Sequence, residues 1–69
     1  MQVTLVVERE DDGRWIAEVP ELAGVLVYGK TQAEAMAKAE VLALRVLADR
    51  IEHAESGPEP IEIILPAAA

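Results

Sequence analysis

Few side chains in this sequence could do covalent or acid–base chemistry, and their spacing argues against each such use. Ser56 is the only serine and His53 the only histidine, and there is no cysteine. A serine nucleophile needs a partnered base, but Ser56 lies in a Gly-Pro turn. His53 falls near the expected end of a helix, where the helix dipole and Asp49 one turn earlier account for an imidazole. Two-metal phosphoryl chemistry needs several carboxylates brought together around the ions. The segment Val3 to Val7 has no acid, the last strand offers Glu62, and Glu40 stands on the helix without companions. A single histidine and carboxylates without calcium-loop spacing predict no metal site. Gly24 and Gly29 are too far apart for a phosphate-binding loop and read as turn residues. Trp15 and Tyr28 are the only aromatics, too few for a base-stacking platform, so Trp15 reads as a half-buried strand residue. The expectation is a non-catalytic chain with no cofactor and no small-molecule substrate.

Charge and length narrow the class further. Thirteen acids against six lysines and arginines give a formal net charge of −7. That excess disfavours a phosphate-backbone binder, which would carry a basic stripe; it serves solubility or suits a basic partner. No apolar run approaches the roughly 20 residues of a membrane span. Met1 leads straight into a strand pattern with no signal-peptide character, so a cytoplasmic protein is expected, with neither nucleic acid nor membrane as partner. A chain of 69 residues makes one domain, 1–69, with Pro66–Ala69 as a frayed tail. Such a chain buries only roughly 60% of its unfolded surface. With no disulfide and no metal to compensate, homo-oligomerisation is the expected remedy.

These constraints fall on elements that the pattern of residue types places in turn. Gln2 to Glu8 is β-branched and alternating, with Val3, Leu5 and Val7 on one face. Asp12-Gly13 ends an acidic turn and predicts a hairpin in which both residues tolerate positive φ. The second strand covers Arg14 to Val19, with Trp15, Ala17 and Val19 on one face, and Pro20 ends it. Pro20 to Gly24 is a bend, and Val25 to Tyr28 a third strand. Gly29-Lys30-Thr31 opens a helix with Thr31 as N-cap and Glu34 as the reciprocal member of a capping box. The helix is expected from Gln32 to about Glu55, stopped by Ser56-Gly57-Pro58. Ile61 to Leu65 is the last strand. The order β-β-β-α-β predicts an α+β domain: one four-stranded mixed sheet of order 3-2-1-4, its last strand parallel to its first, with one helix on one face.

On the helix, Ala35, Met36, Ala39, Leu42, Ala43, Val46 and Leu47 share one broad apolar face at ~100° per residue, which should cover the sheet. Glu34, Lys38, Arg45, Asp49 and Glu52 form the solvated edge, with Glu34–Lys38 and Arg45–Asp49 spaced to pair. A second apolar stripe of Val41, Leu44, Ala48 and Ile51 is more than one sheet can cover. It is the expected oligomer or partner contact, with the open face of the sheet (Val6, Ile16, Ile64) as the alternative.

Together, Asp12-Gly13, Ala17-Glu18-Val19-Pro20, Pro20-Glu21-Leu22-Ala23-Gly24-Val25 and Gly29-Lys30-Thr31 resemble, in order and spacing, the motifs of the HicB-like antitoxin family. The match spans nearly the whole chain. Ala23 stands where the family usually has proline, and Val25 where it has cysteine or another small residue. The resemblance implies a partial ribonuclease H fold and a non-catalytic protein that neutralises a small basic RNA-cleaving toxin of the HicA type. It also implies a partner loop at Pro20, Glu21, Leu22 and Gly24, with Gly13, Gly29, Thr31 and Glu34 as structural positions. Many family members continue into a DNA-binding domain, and no such pattern occurs up to Ala69, so operator binding is not implied. The alternative is a solitary homo-oligomeric interaction protein without a toxin partner.

Overall fold

The computed structural model describes residues 1–54 and 57–66. Its elements are β1 (Gln2–Thr4), β2 (Val6–Arg9), β3 (Trp15–Glu18), β4 (Leu26–Gly29), α1 (Gln32–His53) and β5 (Glu62–Ile64). The described residues form an α+β fold with one helix and five strands. β5 runs parallel to β1, and β2, β3 and β4 form an antiparallel meander.

The expected single four-stranded sheet is not formed. The strands make a two-stranded sheet, β1-β5, and a three-stranded sheet, β2-β3-β4. The division falls at Leu5, and two prolines explain it. Continuing the β2–β3 register past Val6↔Glu18 would set Thr4 opposite Pro20, which has no N–H to donate. Continuing the β1–β5 register past Thr4↔Ile64 would set Val6 opposite Pro66. The stretch from Gln2 to Arg9 is therefore paired along one edge in its first half and along the other in its second. Leu5 bridges the halves, donating its N–H to the Ile64 carbonyl at 2.9 Å. Glu21 substitutes for the missing ladder: its carboxylate accepts the Thr4 N–H at 3.0 and 3.2 Å.

The hairpin between β2 and β3 forms, but with a different turn. The Glu10 carbonyl accepts the Gly13 N–H at 3.0 Å, the Glu10 N–H donates to the Arg14 carbonyl at 2.7 Å, and Gly13 has φ +91°. Asp12 keeps a negative φ. This is a three-residue loop with a glycine bulge in place of a two-residue turn. Asp12 instead uses its carboxylate, which accepts the Arg14 N–H at 3.0 Å and Nε at 2.8 Å.

Alternation in the strands holds. Val3, Leu5, Ala17, Val19 and Val25 are buried beneath α1, with Val7, Trp15, Val27, Ile61 and Ile63 partly buried around them. The helix meets this face through Ala35, Ala39, Ala43 and Leu47. Three alanines four residues apart let the helix axis approach the sheet closely, with Ala17 as an equally small residue beneath. Gly29 completes this close packing. A Cβ there would stand 2.6 Å from the Ala35 nitrogen, so Gly29, read from sequence as a turn residue, is a buried contact at the end of β4.

At the helix start the Thr31 hydroxyl accepts the Glu34 N–H at 3.1 Å. The reciprocal half of the expected capping box is replaced, because the Glu34 carboxylate turns to Lys38 Nζ at 3.0 Å. The helix ends at His53, and Ala54 is extended (φ −83°, ψ 140°) with its N–H on the Ile51 carbonyl. Gly57 turns the chain later, at φ +84°, and does not cap the helix. The expected helical end at Glu55, the stop at Ser56 and the frayed Ala67–Ala69 lie outside the described residues.

Candidate binding surfaces

Among the described residues, no group of three or more histidines or carboxylates is placed to hold a metal, and no polar or charged side chain is buried. Every titratable side chain described here faces water. What the surface offers is apolar area and charge.

The loop from Pro20 to Gly24 is built from two successive turns, Leu22 N–H to Val19 carbonyl and Val25 N–H to Leu22 carbonyl, with Gly24 at φ +84°. Leu22, expected among the partner-facing residues, is 2% exposed and belongs to the core. The loop presents Pro20, Glu21, Ala23 and Gly24 to solvent. The Glu21 carboxyl is held below its ordinary value of 4.5 by its own backbone N–H and by that of Thr4.

Of the second helical stripe, Val41 and Leu44 are 48% and 49% exposed. Ala48 is exposed as well, while Ile51 is half-buried. Beside the stripe, Lys38 holds Glu34, whose carboxyl is lowered chiefly by that hydrogen bond. The other anticipated pair, Arg45–Asp49, is not formed; Asp49 instead meets His53 Nδ1 at 3.3 Å. On the far side of the sheet, Val6, Leu26, Tyr28 and Ile64 are exposed, and Arg14 lies over the Tyr28 ring at 4.6 Å.

A feature the sequence did not disclose is an open groove of about 420 Å³ between α1 and β4. It is lined by Val27, Ala37, Lys38, Val41, Leu42 and Arg45. Leu42, expected on the helical face that covers the sheet, is only half-buried and forms part of this groove. Because the alanine face draws the helix down onto the sheet, the contact is centred on Ala39 and Ala43 and Leu42 is left at its margin. The spacing of Lys38 and Arg45, seven residues apart on one flank, is the sequence signal that could have suggested a charged rim.

No protein-family model matches the chain, and neither the curated proteins nor the solved structures give a match. No helix among the described residues is long and apolar enough to cross a membrane.

Proposed function

We propose that this chain is a non-catalytic, cytoplasmic protein-binding module that acts as a HicB-like antitoxin, capturing a small basic RNA-cleaving protein. The observation that carries the reading is the order of elements: an antiparallel meander, a helix and a last strand returning parallel to the first. This order of elements agrees with the partial ribonuclease H fold that the family resemblance implies. The net charge of −7 supports the choice of a basic partner, since complementary fields speed encounter and select the partner. Pro20, Glu21 and Gly24 are the loop residues that would meet it; Leu22 would act only by shaping the loop from within.

The test is direct. A small basic protein with a prominent histidine, encoded beside this chain, is co-expressed and purified with it, and its RNA cleavage is measured with and without the chain. Stoichiometric inhibition is expected. Cleavage unaffected by an excess of this chain, or the lack of any such neighbour, would refute the reading.

The exposure of Val41 and Leu44 favours a second reading, a solitary homo-oligomer whose helical stripe covers itself around a two-fold axis. A stable oligomer together with no effect on any basic neighbour would select it.

A further inference from the structure

The meander ends in an unpaired edge. The Val19 N–H donates to the Val25 carbonyl at 3.0 Å, and the β3–β4 register continues as Ala17↔Val27 and Trp15↔Gly29. Alternation then turns the backbone groups of Leu26 and Tyr28 away from β3. Only the Tyr28 carbonyl has a partner on that side among the described residues, Lys38 Nζ at 3.4 Å. The amides of Leu26 and Tyr28 and the carbonyl of Leu26 point outward along the mouth of the α1–β4 groove. An extended chain pairing with this edge would drop alternate side chains into the groove against Val27, Val41 and Leu42, the geometry of strand addition.

Charge says what kind of chain. Four of the six lysines and arginines surround β4: Arg14 over the Tyr28 ring, Lys30 directly after the strand, and Lys38 and Arg45 in the groove wall. Asp12 and Glu34 offset Arg14 and Lys38. Lys30 makes no ion pair within 4.0 Å among the described residues, its charge acting on Glu34 from farther away, and Arg45 has no carboxylate within that distance among them. In a chain of net charge −7 this edge is the cationic exception. A second copy docked by its own β4 fits poorly, because a two-fold axis through the groove would set the cations of one copy against those of the other.

We infer that the β4 edge and the α1 groove form a docking site for an acidic, extended segment of another protein, with apolar side chains alternating between its carboxylates. It is separate from the Pro20–Gly24 loop and does not depend on the antitoxin reading.

The probes are two heptapeptides, one alternating glutamate with valine and the other alternating lysine with valine, titrated into the ¹⁵N-labelled protein. The glutamate peptide should bind about tenfold tighter than the lysine peptide, although net charge alone favours the reverse. Its shifts should centre on the Leu26 and Tyr28 amides, with slowed hydrogen exchange at both. Lys38→Glu with Arg45→Glu should weaken it by about tenfold or more, and Arg45→Gln alone by less, with unchanged circular dichroism. The inference is overturned if the lysine peptide binds as well or better, or if the shifts centre on β5 or the open sheet face. Concentration-dependent protection of the two amides without peptide would also overturn it, by showing a second copy on the edge. So would a Lys38→Ala variant that forms larger assemblies than the parent while its peptide affinity is unchanged, since Lys38 would then only guard the edge.

Discussion

Replacing Gly29 by alanine would place a methyl carbon 2.6 Å from the Ala35 nitrogen and 2.9 Å from its Cα. Both are backbone atoms, so no rotamer change relieves the clash. The helix start would have to retreat by roughly 0.8 Å to restore ordinary contact. That start is anchored on both sides: the Ala35 N–H donates to the Thr31 carbonyl at 3.1 Å, and the Thr31 hydroxyl accepts from Glu34. Overpacking against a fixed backbone costs about 2–3 kcal/mol, a large part of the roughly 3–10 kcal/mol available to a chain of this length. For a small domain this means a fall in Tm of about 10–20 °C. Gly24→Ala is the control, because Gly24 has φ +84° and nothing within 4 Å of an added Cβ. Only backbone strain opposes that change, at about 1 kcal/mol. Both variants are compared with the parent by urea unfolding and thermal melts. If Gly29→Ala proves no more damaging than Gly24→Ala, the close approach of β4 and the helix start is not a determinant of stability.

Ala39→Leu should cost about 2–3 kcal/mol in urea unfolding by forcing the helix off the sheet. Leu42→Asp, at a half-buried position facing an open groove, should cost less than Ala39→Leu, where the helical periodicity alone would predict the larger loss. Glu21→Gln probes the break in the ladder at Thr4. The Glu21 carboxyl is lowered below 4.5, so its contribution is present above that pH and disappears as pH falls through the folded-state value. Parent and variant should therefore differ in Tm at neutral pH and converge well below pH 4.5. Light scattering after size exclusion should give more than the 7.5 kDa of one chain, and Val41→Glu with Leu44→Glu should return the protein to monomers. A parent that is folded and monomeric would refute the oligomer, and an oligomer that survives the double change would exclude the helical stripe as its contact.

Alternation in the strands was legible because each apolar residue at every second position has one face to bury it on. Thus Val3, Leu5, Ala17 and Val19 could be assigned inward from sequence. The Thr31 cap, the hairpin at Gly13 and the parallel return of the last strand were legible for the same local reasons of turn chemistry and connection handedness. The sequence also excluded cysteine chemistry and limited any histidine chemistry to one residue, since composition alone decides these.

Tertiary structure decided what depends on register and distance. Pro20 and Pro66 are both visible in the sequence, but only the pairing of β1 with β5 and of β2 with β3 sets them opposite Thr4 and Val6, where together they split one sheet into two. Helical periodicity placed Leu42 on the apolar face, yet the depth to which the helix sinks is fixed by Ala35, Ala39 and Ala43 against Ala17 and Gly29. That depth leaves Leu42 in a groove. The cationic edge is likewise a tertiary property: Arg14, Lys30, Lys38 and Arg45 are scattered over thirty-two positions of the chain and meet only because β4 pairs with β3 on one side and packs against α1 on its face. Local patterns encode which side of an element is apolar, whereas the contact distance between elements depends on every residue in the interface at once.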